Sequence, residues 1–147
     1  MFTLTQIQKV FVTEDIETTA LSDINLHIAQ GDFLAIMGPS GCGKSTLLNI
    51  LGLLDRPSAG TYEFMGQPLH GLPEAKLTEL RRHSLSFVFQ SFNLIDELTV
   101  YENVELPLIY QGIAANERHN RVTAMLQKVA LAHRAGHRPT VRSAHHV

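Results

Sequence analysis

The chain has 147 residues, 44% of them hydrophobic and 18% charged, which is enough for one domain with its own core. Twelve Lys+Arg against fourteen Asp+Glu give a formal charge of -2 and a pI near 6.4, without the basic stripe that nucleic-acid binding needs, so no nucleic-acid partner is expected. No apolar stretch approaches the ~20 residues of a membrane span, the first residues lack the basic-then-apolar order of a signal peptide, and the single cysteine, Cys42, excludes an internal disulfide; the chain reads as cytosolic.

In chain order, Phe2, Leu4, Ile7 and Val10 suggest a first strand. Ile24, Leu26 and Ile28 alternate with polar or small neighbours at the period of a half-buried antiparallel strand. The polar stretch 13–19 between them reads as a hairpin connection. Phe33-Leu34-Ala35-Ile36-Met37 is an uninterrupted apolar run, as expected of a central parallel strand buried on both faces.

That run delivers the chain into Gly38-Pro39-Ser40-Gly41-Cys42-Gly43-Lys44-Ser45-Thr46, which satisfies G-x-x-x-x-G-K-[ST] at every fixed position and predicts nucleoside triphosphate binding. A loop that turns its backbone N–H groups around phosphates needs glycine where a side chain would block the approach. Lys44 would reach the β- and γ-phosphates, the Ser45 hydroxyl would coordinate Mg²⁺, Thr46 could reach the α-phosphate, and the following helix would point its positive end at the anion. Cys42 is expected to serve only as a small loop side chain.

Leu47, Leu48, Ile50, Leu51 and Leu54 recur at helical spacing until the stretch 55–60, with Pro57 and Gly60, stops the helix. Residues 61–65 read as a short strand closed by a turn at Gly66-Gln67-Pro68, and Pro73-Glu74 opens a helix to about His83. Leu85-Ser86-Phe87-Val88-Phe89 is the next strand, with Gln90 at its C-terminal end, where open α/β sheets present ligand-contacting groups. Thr99-Val100-Tyr101-Glu102 is a capping box opening a helix that Pro107 should bend or break. A last helix is expected over 116–130, with Val122, Met125, Leu126 and Val129 on one face.

The loop 38–46, the segment 47–57 reading LLNILGLLDRP, the run 87–94 and the run 98–108 together resemble the ATP-binding domain of an ABC transporter, most nearly the lipoprotein-releasing, macrolide-export and antimicrobial-peptide-export group. The resemblance is continuous over about residues 2–139. It implies an α/β P-loop NTPase core with an N-terminal antiparallel β patch and the start of an α-helical subdomain, an incomplete ABC ATPase fold. It implies ATP and Mg²⁺ as cofactors, a transmembrane permease and a second ATP-binding domain as partners, and a peripheral position on the cytoplasmic face of the inner membrane. By the same resemblance Phe11 stacks on adenine, Gln90 contacts Mg²⁺ and the attacking water, and the segment 91–106 docks the permease. From the residues alone the alternative for Phe11 is a strand-end core residue, and for 91–106 a plain surface helix.

Where the family would continue with a Leu-Ser-Gly-Gly-Gln signature, residues 141–147 read Val-Arg-Ser-Ala-His-His-Val, a tail outside the pattern that a truncated or frameshifted reading frame would produce. No apolar strand ending in the usual magnesium-binding Asp follows the loop, nor does the adjacent Glu or the switch His. The domain is therefore placed at residues 1–140, and ATP binding with little or no turnover is expected of the chain alone. The competing reading is a non-catalytic nucleotide-binding fragment. A P-loop kinase or GTPase is disfavoured, since no guanine-reading Asn-Lys-x-Asp occurs. His133 and His137 stand at a metal-like i,i+4 spacing, but no carboxylate or cysteine joins them in the sequence.

Overall fold

Strand β1 (Phe2–Thr13) and strand β2 (Ile16–Ile28) form a long antiparallel hairpin whose register pairs Phe2 with Ile28, Leu4 with Leu26 and Ile7 with Ile24. This comes from a computed structural model, which describes residues 1–14, 16–90 and 93–139. The connection is only two residues long, not the expected 13–19. Thr18, Thr19 and Val12 are good strand formers, and their ladder extends the hairpin to Thr13↔Ile16.

On the other side of β1 lies β3 (Ala59–Phe64), followed by β4 (Gln67–Pro68), so that the sheet order is β2-β1-β3-β4 and every pairing is antiparallel. Gln67 and Pro68, expected in a turn, pair with Phe64 and Glu63. The turn is Met65-Gly66, both at positive φ, which suits a two-residue hairpin, and Pro68 is tolerated on the edge strand.

Helix α1 (Lys44–Leu51) buries Leu47, Ile50 and Leu51, an i, i+3, i+4 set, into the same core as Phe2, Leu4, Tyr62 and Phe64. The Phe2 and Phe64 rings lie 4.7 Å apart. The buried Tyr62 hydroxyl donates to the Leu51 carbonyl at 2.9 Å, and burial pushes its pKa well above the usual phenol value. Helix α1 ends before the Pro57 stop, because Leu53 takes φ 58 and the Leu53 and Leu54 N–H groups return to the Ile50 and Asn49 carbonyls at 3.0 and 2.8 Å. That is a Schellman ending with leucine at its left-handed position. Helix α2 (Glu74–Ser84) opens after Pro73 as expected and buries Leu77.

Two expected strands do not form. Residues 33–37 and 85–89 carry no strand pairing; Phe33 is 98% and Met37 88% exposed, while Ile36 packs against the core. A parallel strand exists only through a neighbour brought in by a crossover, and neither run joins the sheet β2-β1-β3-β4.

The chain divides into two compact units, Met1–Phe87 and a second from Val88 onward. The second contains α3 (Val100–Tyr110) and α4 (Ala115–Lys128), followed by a 3-10 turn at Ala132–Arg134. The capping box of α3 is formed by Thr99 and Glu102, and the first two helical N–H groups, of Val100 and Tyr101, donate to the His137 and Ala135 carbonyls at 2.8 and 2.9 Å. Pro107 does not break α3, which runs three residues further to Tyr110. Arg118 ties α4 to α3 through Glu105 at 2.8 Å. Val122 and Leu126 are buried, whereas Met125 and Val129, expected on the same face, are exposed.

Candidate functional site

The loop 38–46 is tightly packed at its two ends. Gly43, at φ 88, lies so close to β2 that a Cβ there would stand 2.4 Å from the Ala20 carbonyl oxygen and 2.9 Å from Leu21 Cδ2, so both its conformation and its contact exclude a side chain. At the other end, a Cβ on Gly38 would meet Cys42 Sγ at 2.7 Å. Lys44 folds its ammonium back over the loop and donates to the Gly38 and Pro39 carbonyls at 2.9 and 2.5 Å, with Cys42 Sγ at 3.6 Å.

Helix α1 starts at Lys44 with no side-chain cap on Gly43 and no acidic residue in its first turn. An uncapped N-terminus with a fixed cation beside it and Ser45 exposed on its first turn makes a donor set suited to phosphate oxygens. Pro39, Ser40, Gly41 and Cys42 form the exposed rim of the loop.

Phe11 stands near the end of β1, 44% exposed, and is therefore not the buried core residue that its strand position also allowed. Its partner across the hairpin is Thr18, while Lys9 faces Leu21. Phe11 and Gly43 therefore rest on one short stretch of β2, positions 18–21. The Lys9 Nζ lies 4.9 Å from the Phe11 ring centroid.

Sequence reasoning missed a polar network around the loop that follows α1. Lys9 pairs with Asp55 at 2.6 Å; Arg56 bonds the Leu72 carbonyl at 2.9 Å and Glu74 at 3.3 Å; Arg81 pairs with Glu74 at 2.5 Å and donates to the Leu53 carbonyl. Hydrogen bonds from Arg81 and then Arg56 hold the Glu74 carboxyl below the usual carboxylate range. The network borders a cavity of about 280 Å³ floored by Leu53, Tyr62, Leu69 and Leu77. The available signal was Lys9 itself, the one charged residue in a strand that is otherwise uncharged.

Gln90 is exposed and belongs to the second unit, so its role is not joined to the loop here. In the expected docking segment, Ser91 and Phe92 lie outside the described residues. Beyond them Asn103 clamps the approach to α3, donating to the Ile95 and Thr99 carbonyls at 3.0 Å each and accepting from the Ile95 N–H at 2.8 Å. Among the described residues no group of three metal-binding side chains occurs; His145, His146 and the rest of the tail lie outside them.

A glycine loop delivering a lysine onto the start of a helix, beside an open aromatic, defines a P-loop nucleotide-binding domain. The family model for ABC transporters matches residues 21–145, and the chain belongs to that family. It is 48% identical over 137 residues to the macrolide export ATP-binding/permease protein MacB of Azoarcus sp., covering 93% of this chain and 21% of that protein. It is 51% identical over 123 residues to the pyoverdine export ATP-binding/permease protein PvdT of Pseudomonas fluorescens, covering 84% of this chain and 19% of that one. The ATP-binding cassette MJ0796, solved as a dimer in a post-hydrolysis state bound to ADP and Pi, superposes with a TM-score of 0.84 at 41% identity, over 95% of this chain and 62% of that one. The chain thus spans about a fifth of these export relatives and under two thirds of the solved cassette. Among the described residues no helix is long and apolar enough to cross a membrane.

Proposed function

We propose that this chain binds Mg-ATP through residues 38–46 and serves as the nucleotide-binding part of an export-type ABC transporter, whose cassettes couple ATP binding and hydrolysis to a membrane permease. The observation that carries this is the Lys44 ammonium held over an uncapped helix start by the Gly38 and Pro39 carbonyls. Lys44 takes the β- and γ-phosphates, Thr46 the α-phosphate, and Phe11 the adenine. Ser45 would hold Mg²⁺, which when bound neutralises charge on the β- and γ-phosphates, and Gln90 is the second magnesium contact that the family resemblance implies.

The partners in this reading are a permease and a second cassette. They are supported by the names of MacB and PvdT as ATP-binding/permease proteins and by the dimeric state of the MJ0796 cassette. The working place that follows is the cytoplasmic face of the inner membrane, with 91–106 as the docking segment.

Calorimetric titration of the 147-residue chain with Mg-ATP tests the core of the proposal. Lys44→Ala should remove a charge-assisted contact of about 1.5–3 kcal/mol, roughly 10- to 150-fold in Kd. A folded wild-type chain that gives no Mg-ATP isotherm would overturn the reading.

A further inference from the structure

The second cation near the loop is Lys9, and everything around it is arranged to hold its head group still. The β1–β2 ladder is irregular on both sides of Lys9, between Ile7 and Lys9 and between Lys9 and Val10, which marks a bulge there. On the opposite side the β1–β3 ladder ends at Gln8↔Ala59. Beyond that point the loop after α1 takes over: the Ser58 N–H donates to the Gln8 carbonyl at 2.8 Å, and the Ser58 hydroxyl accepts from the Val10 N–H at 3.0 Å. Within this frame the Lys9 side chain is only 12% exposed. Its ammonium donates to Asp55 Oδ1 at 2.6 Å and to the Arg56 carbonyl at 2.8 Å, and the same Asp55 oxygen accepts from the Arg56 N–H at 2.7 Å.

Lys9 and Phe11 are two residues apart on β1, and the fixed ammonium lies over the Phe11 ring, 4.9 Å from its centroid. We propose that Lys9 is a positioning residue for the nucleotide base: anchored by Asp55 and the Arg56 carbonyl, it holds one face of Phe11 so that the other face is presented to adenine. This rests on the reading of Phe11 as the adenine platform. Ordering a free lysine side chain costs rotamer freedom. Here that loss has already occurred on folding, so the ring is set before the nucleotide arrives. The cation also draws ring electron density toward the covered face, leaving the open face a better partner for an electron-rich purine.

The test is to titrate the full chain, by calorimetry, with Mg-ATP and separately with magnesium tripolyphosphate, which offers the phosphates without a base. Lys9→Met should weaken Mg-ATP about 3- to 10-fold, while tripolyphosphate affinity stays within about twofold. Lys9→Arg should recover most of the loss. In a Phe11→Leu background, Lys9→Met should cause no further weakening, since its effect runs through the ring. Equal losses for both ligands, no loss at all, or an undiminished loss in the Phe11→Leu background would each overturn the proposal. If Phe11→Leu leaves Mg-ATP affinity unchanged, the adenine platform itself fails and the Lys9 role falls with it. That outcome is distinct from a Phe11 effect without a Lys9 effect. Should Lys9→Met fail to fold, Asp55→Asn frees the ammonium without removing its charge, and the same ATP-selective weakening is expected.

Discussion

Cys42 sits in the middle of the phosphate loop, exposed, with its sulfur 3.6 Å from the Lys44 ammonium. Its only distinction in the sequence is to be the chain's single thiol, yet its position makes it a reporter for the loop. A triphosphate lying along the loop would cover the path a reagent must take to the sulfur. With free Mg-ATP at 100 times Kd, maleimide labelling of Cys42 should slow by up to about 100-fold. Equal rates with and without nucleotide would contradict the proposed placement of the phosphates. Lys44 and the loop glycines are legible in sequence because their spacing is itself the chemistry, whereas Phe11 is not: a strand-end aromatic reads as core or surface until its exposure is known.

At the level of elements, the end of α1 shows how a glycine can be required by space and not by conformation. Gly52 has φ -77, which any residue adopts, but a Cβ there would stand 2.3 Å from Phe87 Cζ and 2.4 Å from Cε1. The left-handed position that would favour glycine is taken instead by Leu53, whose side chain is buried in the core. Gly52→Ala should therefore destabilise the chain by about 1–3 kcal/mol through displacement of the Phe87 ring, read as a lowered urea midpoint at unchanged slope. Phe87→Leu should restore part of it; an unshifted midpoint for Gly52→Ala would show that the ring yields freely. The antiparallel strands, α2 and the capping box of α3 were readable because alternation, Pro73 and Thr99 with Glu102 act locally. The early stop of α1 was not, since it depends on Leu53 accepting strain in exchange for burial. The expected strands at 33–37 and 85–89 were misjudged for the opposite reason: an apolar run such as 33–37 states what the segment wants, not whether it joins the sheet.

For the whole chain, the loop belongs to the first unit and Gln90 to the second, and the catalytic inventory is thin. Water attack on a γ-phosphate needs an oriented water and charge neutralisation on the transferring group. On the proposed reading Lys44, Ser45 and Gln90 would supply part of this, whereas a signature sequence and a strand-end Asp-Glu pair are not legible after the loop in these 147 residues. Each missing positioned group typically costs about 10² or more in rate. Purified chain should thus bind Mg-ATP yet release phosphate near background, with Lys44→Ala as the contamination control; Lys44-dependent turnover on the order of 1 s⁻¹ would refute this. The contact of Gly43 with Ala20 and Leu21 has a consequence in time as well as in space. The strand stretch beneath that end of the loop lies wholly upstream of it, in a hairpin whose partners are close in sequence and so cheap to bring together. As the chain leaves a ribosome, the strands that form the bed for the loop are synthesised before Lys44 emerges.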